Sequence, residues 1–248
     1  FGESELLPGM LVRSHSRGLH LALLNARLLG VAGDLQIEGQ VIHVIADRLI
    51  DHTEMLGNLA TRSRDLVVPG RELKGIYFAM DFLSRQNRLV AGDTIAHHDG
   101  LNARGKNVIV IGGGIGGIQC ALDLADTGFY VYLLDKTHTL GGTMAGLDKT
   151  FPTNDCSTCM FSPKLVQAAG NPNIEIIPSS RLLDLTGEPG RFTARVEKKP
   201  RYINVEKCIA CGQCAEKCPK KVPDAFNGEL GFRKAAFLTF PQAVPLKY

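Results

Sequence analysis

Four of the seven cysteines in this 248-residue chain, Cys208, Cys211, Cys214 and Cys218, fall within eleven residues and are followed by Pro219. The spacing C-x2-C-x2-C-x3-C-P is that of a run which ligates an iron–sulfur cube. Short spacers with Gly212 among them let the backbone curl until three thiolates reach three irons, and Pro219 then turns the chain away. Four thiolates also suit zinc, although zinc sites usually pair two C-x2-C knuckles across a longer loop. A disulfide set fits this crowding less well, and the clustering favours a reducing compartment. Where two such runs occur, the fourth cysteine ligates the other cluster. A second run is not found in these residues. Cys208, Cys211 and Cys214 are thus expected to hold one [4Fe–4S] cluster with a corner open, while Cys218 awaits a cluster that this chain alone does not complete.

A second constellation lies upstream. The apolar run Asn107 to Ile111 feeds directly into Gly112, Gly113, Gly114, Ile115, Gly116 and Gly117, a G-x-G-x-x-G loop after a strand that reads as buried in a parallel sheet. Gly112 permits the tight turn, Gly114 admits a pyrophosphate to the backbone, and Gly117 lets the next helix, expected over 118–127, pack close to the strand. That helix would offer its N-terminal N–H groups and positive dipole end to an anion. A second strand, 130–134, ends in Asp135, placed to accept from ribose hydroxyls, and an acid there argues against a 2′-phosphate. FAD and NAD both use this unit. Leu140, Gly141, Gly142 and Thr143 follow, and this Gly-Gly pair resembles the one that flavoproteins with two dinucleotide folds bring to the FAD pyrophosphate, which turns the preference to FAD.

Cys156 and Cys159 form a C-x2-C pair ahead of an expected helix, for which Ser162 would be the N-cap and Pro163 the first residue. A helix N-terminus lowers a thiol pKa and so favours redox or ligand work. A dithiol facing the flavin and ligands to a further cluster remain open alternatives, beside plain structural cysteines. Cys120, on the helix after the glycine loop, reads as a small buried hydrophobe.

Composition bounds the rest. With 44% hydrophobic and 21% charged residues the chain is an ordinary globular sequence, and a net charge of +3 makes no case for a nucleic-acid or membrane footprint. Neither a run of about 18 apolar residues nor a leader pattern is present, so a cytoplasmic protein is expected. His97 and His98 read as a solvated pair, as does the basic stretch 198–201. A start at Phe1 and an end at Tyr248 suggest a piece of a longer chain.

From Arg104 to Tyr248 the words VIGGGIGGIQCALDLADTGFYVYLLDK, LGGTMAGLDKTFPTNDCSTCMFSPKLVQAAGNPNIEI and FPQAVPLKY resemble the A-type subunit of heterodisulfide reductase. That resemblance implies a thioredoxin-reductase-like flavin domain carrying ferredoxin modules and working with partner reductase subunits and electron carriers. It also implies that Gly112, Gly114, Gly117, Asp135, Gly141 and Gly142 hold FAD, and that Cys208, Cys211, Cys214 and Cys218 hold iron–sulfur centres. The stretch 26–65 resembles the C-terminal region of an error-prone bacterial DNA polymerase, and 66–93 resembles the small subunit of glutamate synthase, so the chain reads as a mosaic.

The expected fold is therefore α/β: a Rossmann-type FAD-binding parallel sheet over 104–199, a ferredoxin-like module over 200–248, and loosely attached N-terminal pieces. Those pieces are a polymerase-like β-hairpin within 1–65, turning at Glu38 and Gly39 with a short helix after it at 53–60, and a linker over 66–103 with a helix over 76–88. The expected function is electron transfer through FAD and a [4Fe–4S] cluster. A nicotinamide-binding subunit like that of glutamate synthase is the first alternative, and a non-enzymatic mosaic binding single-stranded nucleic acid the second.

Overall fold

The computed structural model describes residues 33–42, 67–92, 107–188 and 191–248. In chain order the strands and α-helices are β1 (Gly33–Ile42), α1 (Ala79–Val90), β2 (Asn107–Ile111), α2 (Ile115–Asp126), β3 (Tyr130–Leu134), β4 (Lys149–Thr150), β5 (Asp155–Cys156), α3 (Ser157–Gly170) and β6 (Ile174–Ile177). Then come β7 (Ser180–Glu188), β8 (Arg191–Lys198), α4 (Gln213–Lys217), β9 (Lys221–Pro223) and β10 (Phe232–Lys234).

The main sheet has six strands in the order β6-β3-β2-β1-β8-β7. Its first four strands are parallel, with Asn107 to Ile111 of β2 against Tyr130 to Leu134 of β3, and β3 in turn against β6. The order 6-3-2, with helices in the crossovers, is one half of a doubly wound dinucleotide fold. The parallel sheet stops at β1, however, because β7 and β8 run antiparallel to each other and β8 antiparallel to β1. The expectation of a parallel sheet throughout 104–199 is corrected accordingly.

Strands apolar at every position are buried on both faces, and β2 and β3 show the period of two that this requires. Val108, Val110, Val131 and Leu133 face the helices, packing with Ile118, Leu124, Phe161 and Leu165. Ile109, Tyr132 and Leu134 face the other way, against Leu182, Leu185, Phe192 and Val196 of the antiparallel strands.

Two N-terminal expectations change. The hairpin turn at Glu38 and Gly39 does not form, since β1 runs straight through both residues. One end of the strand pairs antiparallel with β8, Gly33 opposite Lys198 through Gly39 opposite Phe192. The other pairs parallel with β2, Gln40 opposite Val108 through Ile42 opposite Val110. A strand with neighbours at both edges satisfies its backbone groups without folding back on itself. The helix expected at 53–60 and the His97–His98 pair lie outside the described residues.

Residues 67–92 are likewise no loose linker. The turn at Pro69 and Gly70 is present, with Arg71 N–H donating to the Val68 carbonyl at 3.3 Å. Ile76 then fills the core on the antiparallel side, while Ala79 and Phe82 fill the helical side. This crossing from one face to the other is why α1 begins at Ala79 and not at Ile76; Gly75, at φ 98°, lies just before it.

The C-terminal module is thinly packed. Between Pro200 and Tyr248 only Ala243 is buried. Its regular structure amounts to the five residues of α4, the two-stranded β9–β10 ladder and a 3-10 turn at Ala225–Asn227.

Phe82 provides a check on the N-terminal packing. Phe82→Ala is expected to lower stability by about 3 kcal/mol, the usual range for truncating a core aromatic. An unchanged midpoint in urea unfolding followed by circular dichroism would show that α1 contributes nothing to the core.

Candidate functional site

The two glycine-rich segments, distant in sequence, are joined by backbone. Gly112 extends the β2 ladder by donating to the Leu134 carbonyl at 2.8 Å, at a φ of 110° that favours glycine. Gly113 carbonyl accepts the Gly141 N–H at 2.8 Å, and Gly114 and Gly141 form an isolated parallel bridge. Gly114 is extended and caps α2 without any side-chain partner, and the first turn of that helix holds no acid. The helix thus begins at Ile115, three residues earlier than expected, so Gly117 lies buried inside it, where the lack of a side chain still serves close packing. At Gly141 a Cβ would come within 2.7 Å of the Ala145 side chain and 3.3 Å of Phe161. The result is a shallow backbone cradle before an uncapped helix N-terminus, the shape and polarity that a pyrophosphate needs.

Asp135 is buried at the end of β3 and turned back onto the loop. One carboxylate oxygen accepts the Gly113 N–H; the other accepts the Thr137 N–H at 2.6 Å and the Thr137 hydroxyl. At least three of its roughly four acceptor positions are therefore used by the protein. The carboxylate braces the loop as well as standing beside the cradle. Gly113 is the residue that sequence reasoning passed over, because it occupies a variable place in the motif. A Cβ there would press on the Leu140 side chain and lie 2.7 Å from the Asp135 carboxylate.

Cys156 and Cys159 are joined as a disulfide, five cysteines remaining free. Here the expectation for the helix start is corrected. Cys156 itself is the N-cap of α3, its sulfur accepting the Cys159 N–H at 3.2 Å, so Ser162 and Pro163 lie within the helix. The earlier start is fixed by Ser157, which is fully buried and donates from its hydroxyl to the Met144 carbonyl at 2.6 Å. Met144 belongs to the 3-10 turn Gly142–Gly146 that follows the glycine pair. The C-x2-C pair is thus tied to the turn that follows the glycine pair. Ser162 Oγ, freed from capping, is buried without a hydrogen-bond partner. Cys120 is buried as expected, which pushes its thiol well above the ordinary range.

Cys208, Cys211, Cys214 and Cys218 lie partly to fully open on the C-terminal module, none bonded to another. Ala210 at φ 58° and Gly212 at φ 81° give the curl that the spacing implies. Among the described residues no three His, Cys, Asp or Glu side chains converge as ligands of a single ion do. A cube takes one thiolate at each corner iron and so holds its ligands farther apart than a tetrahedral zinc does. Two of the four thiols are also held below their ordinary pKa. Burial pushes the Cys208 thiol up, but the N–H groups of Tyr248 and Ala210, with Lys247 and Arg201, outweigh it and hold the thiol below its ordinary value. The N–H groups of Ala236 and Lys220 do the same for Cys218. Thiolate is the form that ligates.

The tail 240–248 connects the two sites. Val244 carbonyl accepts the Leu140 N–H at 2.7 Å, and Phe240 packs between Phe161 and Phe226 beside Gly141. Further along the tail, Lys247 Nζ donates to the Cys208 carbonyl at 2.7 Å. Arg201, expected in a solvated turn, is instead half-buried and donates to the Lys247 carbonyl at 3.2 Å. His138 closes the same joint, bonded to Ser179 at 2.8 Å and set edge-on to Phe237.

The arrangement is a glycine-lined cradle of the dinucleotide-binding kind with a four-cysteine module attached. Comparison with known proteins agrees: residues 107–160 match the family described as FAD dependent oxidoreductase, and 201–224 the 4Fe-4S binding domain. FAD and a [4Fe–4S] cluster are thus the cofactors of these two segments. Among curated proteins the chain is 53% identical over 143 residues to the first iron-sulfur A-type subunit of the CoB--CoM heterodisulfide reductase of Methanopyrus kandleri, covering 58% of this chain and 21% of that one. It is 52% identical over 143 residues to the A-type subunit of the H(2)/formate:CoB-CoM heterodisulfide,ferredoxin reductase of Methanococcus maripaludis, covering 58% and 22%. The corresponding subunit of the Ferredoxin:CoB-CoM heterodisulfide reductase of Methanosarcina mazei is 40% identical over 141 residues, covering 56% and 18%. The chain spans about a fifth of the length of these relatives, each of which is named as one subunit of its reductase. The likeness to the A-type subunit of heterodisulfide reductase expected from the sequence is thereby shown over more than half of the chain. No helix among the described residues is long and apolar enough to cross a membrane.

Two outcomes follow from this geometry. Gly113→Ala is expected to cost about 1–3 kcal/mol through crowding against Asp135 and Leu140, and to abolish flavin retention on gel filtration. A variant that keeps stoichiometric flavin would show that the loop is not the cradle. Burial first, then the charges of Arg201, Arg233 and Lys199, hold His138 below its ordinary pKa of 6.5. The unfolded chain therefore takes up this proton before the folded one, so the stability is full above that ordinary value and declines as pH falls below it. Between about pH 7 and about pH 5, His138→Asn should lose less stability than the parent in urea titrations.

Proposed function

We propose that this chain is the electron-transferring FAD and [4Fe–4S] portion of an oxidoreductase of the heterodisulfide reductase kind, working in the cytoplasm with further reductase subunits and electron carriers. The observation that carries the reading is the pairing of the two glycine segments, with the tail that ties them to Cys208. Gly112, Gly114 and Gly117 would admit the pyrophosphate to the backbone ahead of α2, and Gly141 and Gly142 would meet it from the other side. Asp135 would hold the adenosine ribose at the edge of the loop that it braces. Cys208, Cys211, Cys214 and Cys218 would supply the thiolates for iron. When bound, the flavin exchanges electrons in pairs or singly, and the cluster carries single electrons.

Cys156 and Cys159 are proposed as the reacting pair. Support for a dithiol role comes from the disulfide, the exposure of both residues and their attachment to the glycine turn through Ser157. Two electrons and two protons convert this disulfide into two thiols, the S–S bond breaking and two S–H bonds forming. The flavin, reduced by an upstream carrier, would supply the electron pair, and solvent would supply the protons.

The test begins with the chain purified and reconstituted without oxygen, then analysed for flavin, iron and sulfide. Flavin bands with a broad shoulder that bleaches on reduction are expected; a colourless protein would sink the reading. Cys211→Ser should lose the shoulder and keep the flavin. In the Cys156→Ser, Cys159→Ser double variant, iron content equal to that of the parent with lost thiol–disulfide turnover supports the dithiol role. A fall in iron would assign the pair to a further cluster instead.

Because the module buries so little apolar surface, its cluster is expected to be its main source of order. Proteolysis should therefore cut within 200–248 much faster in the metal-free chain than in the reconstituted one. Equal rates would show that the module folds without iron.

A further inference from the structure

Lys247 and Tyr248 converge on one ligand. Lys247 Nζ donates to the Cys208 carbonyl at 2.7 Å, and Tyr248 N–H donates to Cys208 Sγ at 3.4 Å. Arg201 fixes this end by donating to the Lys247 carbonyl at 3.2 Å. Tyr248 also lies over the curl of the loop, its hydroxyl 3.3 Å from where a Gly212 Cβ would stand. At the far end of the run a second lysine repeats the contact, Lys234 Nζ donating to the Cys218 carbonyl at 2.6 Å.

We propose that Lys247 and the Tyr248 N–H are positioning groups that set the reduction potential of the cluster held by Cys208. The inference rests on the iron–sulfur reading above. Reduction brings one electron to the cluster, with no bond made or broken and no proton required, so the site gains one negative charge. Cluster potentials follow net charge, hydrogen bonds to the sulfurs and solvent exposure. An ammonium on the ligand's own carbonyl and an N–H aimed at its sulfur both stabilise the more negative state. Each therefore raises the potential, as groups behind a metal ligand commonly tune the metal. A purely structural clasp would need neither a formal charge nor a donor on the sulfur.

The same tail holds the flavin-side loop, since Val244 accepts from Leu140 and Phe240 lies beside Gly141. One short segment thus seats the glycine pair at one end and adjusts the acceptor at the other. Changes at Lys247 or Tyr248 alter the cluster and leave the seat of the glycine pair in place.

The experiment is a redox titration of the full chain, followed by electron paramagnetic resonance of the reduced cluster, with iron and sulfide measured on each sample. Lys247→Gln is expected to keep its cluster and shift the midpoint to more negative values, and Lys247→Arg to restore it. Tyr248→Pro removes the N–H while leaving Lys247 in place, and should also shift the midpoint negative. Should Lys247→Gln fail to assemble a cluster, Tyr248→Pro decides the matter alone. Parent-like midpoints in assembled variants overturn the proposal and leave the iron–sulfur reading standing. Absence of a cluster from the parent chain itself overturns both.

Discussion

The backbone contact between Gly113–Gly114 and Gly141 is the constraint on which the rest of the site depends. Gly141 holds its side of the contact at a φ of 147°, buried against Ala145 and Phe161, where a side chain would be both strained and crowded. Once they meet, the turn after Gly142 is fixed, and with it the Met144 carbonyl that receives Ser157. That bond starts α3 at Ser157, well before the Ser162 cap that local preference would choose. The position of the C-x2-C pair is therefore a consequence of glycine packing far upstream of it in the chain.

Asp135 belongs to the same construction. A carboxylate at the end of β3 has two tasks that compete for its lone pairs: to hold the loop and to meet a ribose. With the Gly113 N–H and both donors of Thr137 already upon it, holding the loop dominates. Its burial is sustained by these donors, since a polar group is buried at little cost when it is hydrogen-bonded. Loop and acid are consequently one unit: glycine at 113 makes room for the carboxylate, and the carboxylate fixes the loop.

Much of this was legible in the sequence because it rests on local, periodic signals. Apolar runs at 107–111 and 130–134 gave both strands at their observed limits, and the glycine pattern between them located the loop that meets Gly141. The cysteine spacing named the cluster loop. What escaped had non-local causes. Glu38 and Gly39 look like a turn until β8 and β2 are available to pair with the strand on both sides. Ser162 and Pro163 are a sound helix start that a long-range bond overrides. Arg201 and Lys247, 46 residues apart, show no pattern at all in one dimension, yet they meet over Cys208.

The thin packing of residues 200–248 gives the tail its significance. A module that buries little apolar surface cannot hold a fixed distance to its neighbour by packing alone. The electron transfer proposed for it would need that distance held, and a few directed contacts are placed to hold it: Val244 on Leu140, Phe240 among Phe161 and Phe226, and Lys247 and Tyr248 on Cys208. Directed hydrogen bonds and ring contacts fix geometry with little buried area, whereas apolar contact fixes area with little geometry. A segment that must join a rigid sheet to a loop shaped by iron is better served by the former. The tail is accordingly polar where it meets the cysteines and apolar where it meets the glycine pair.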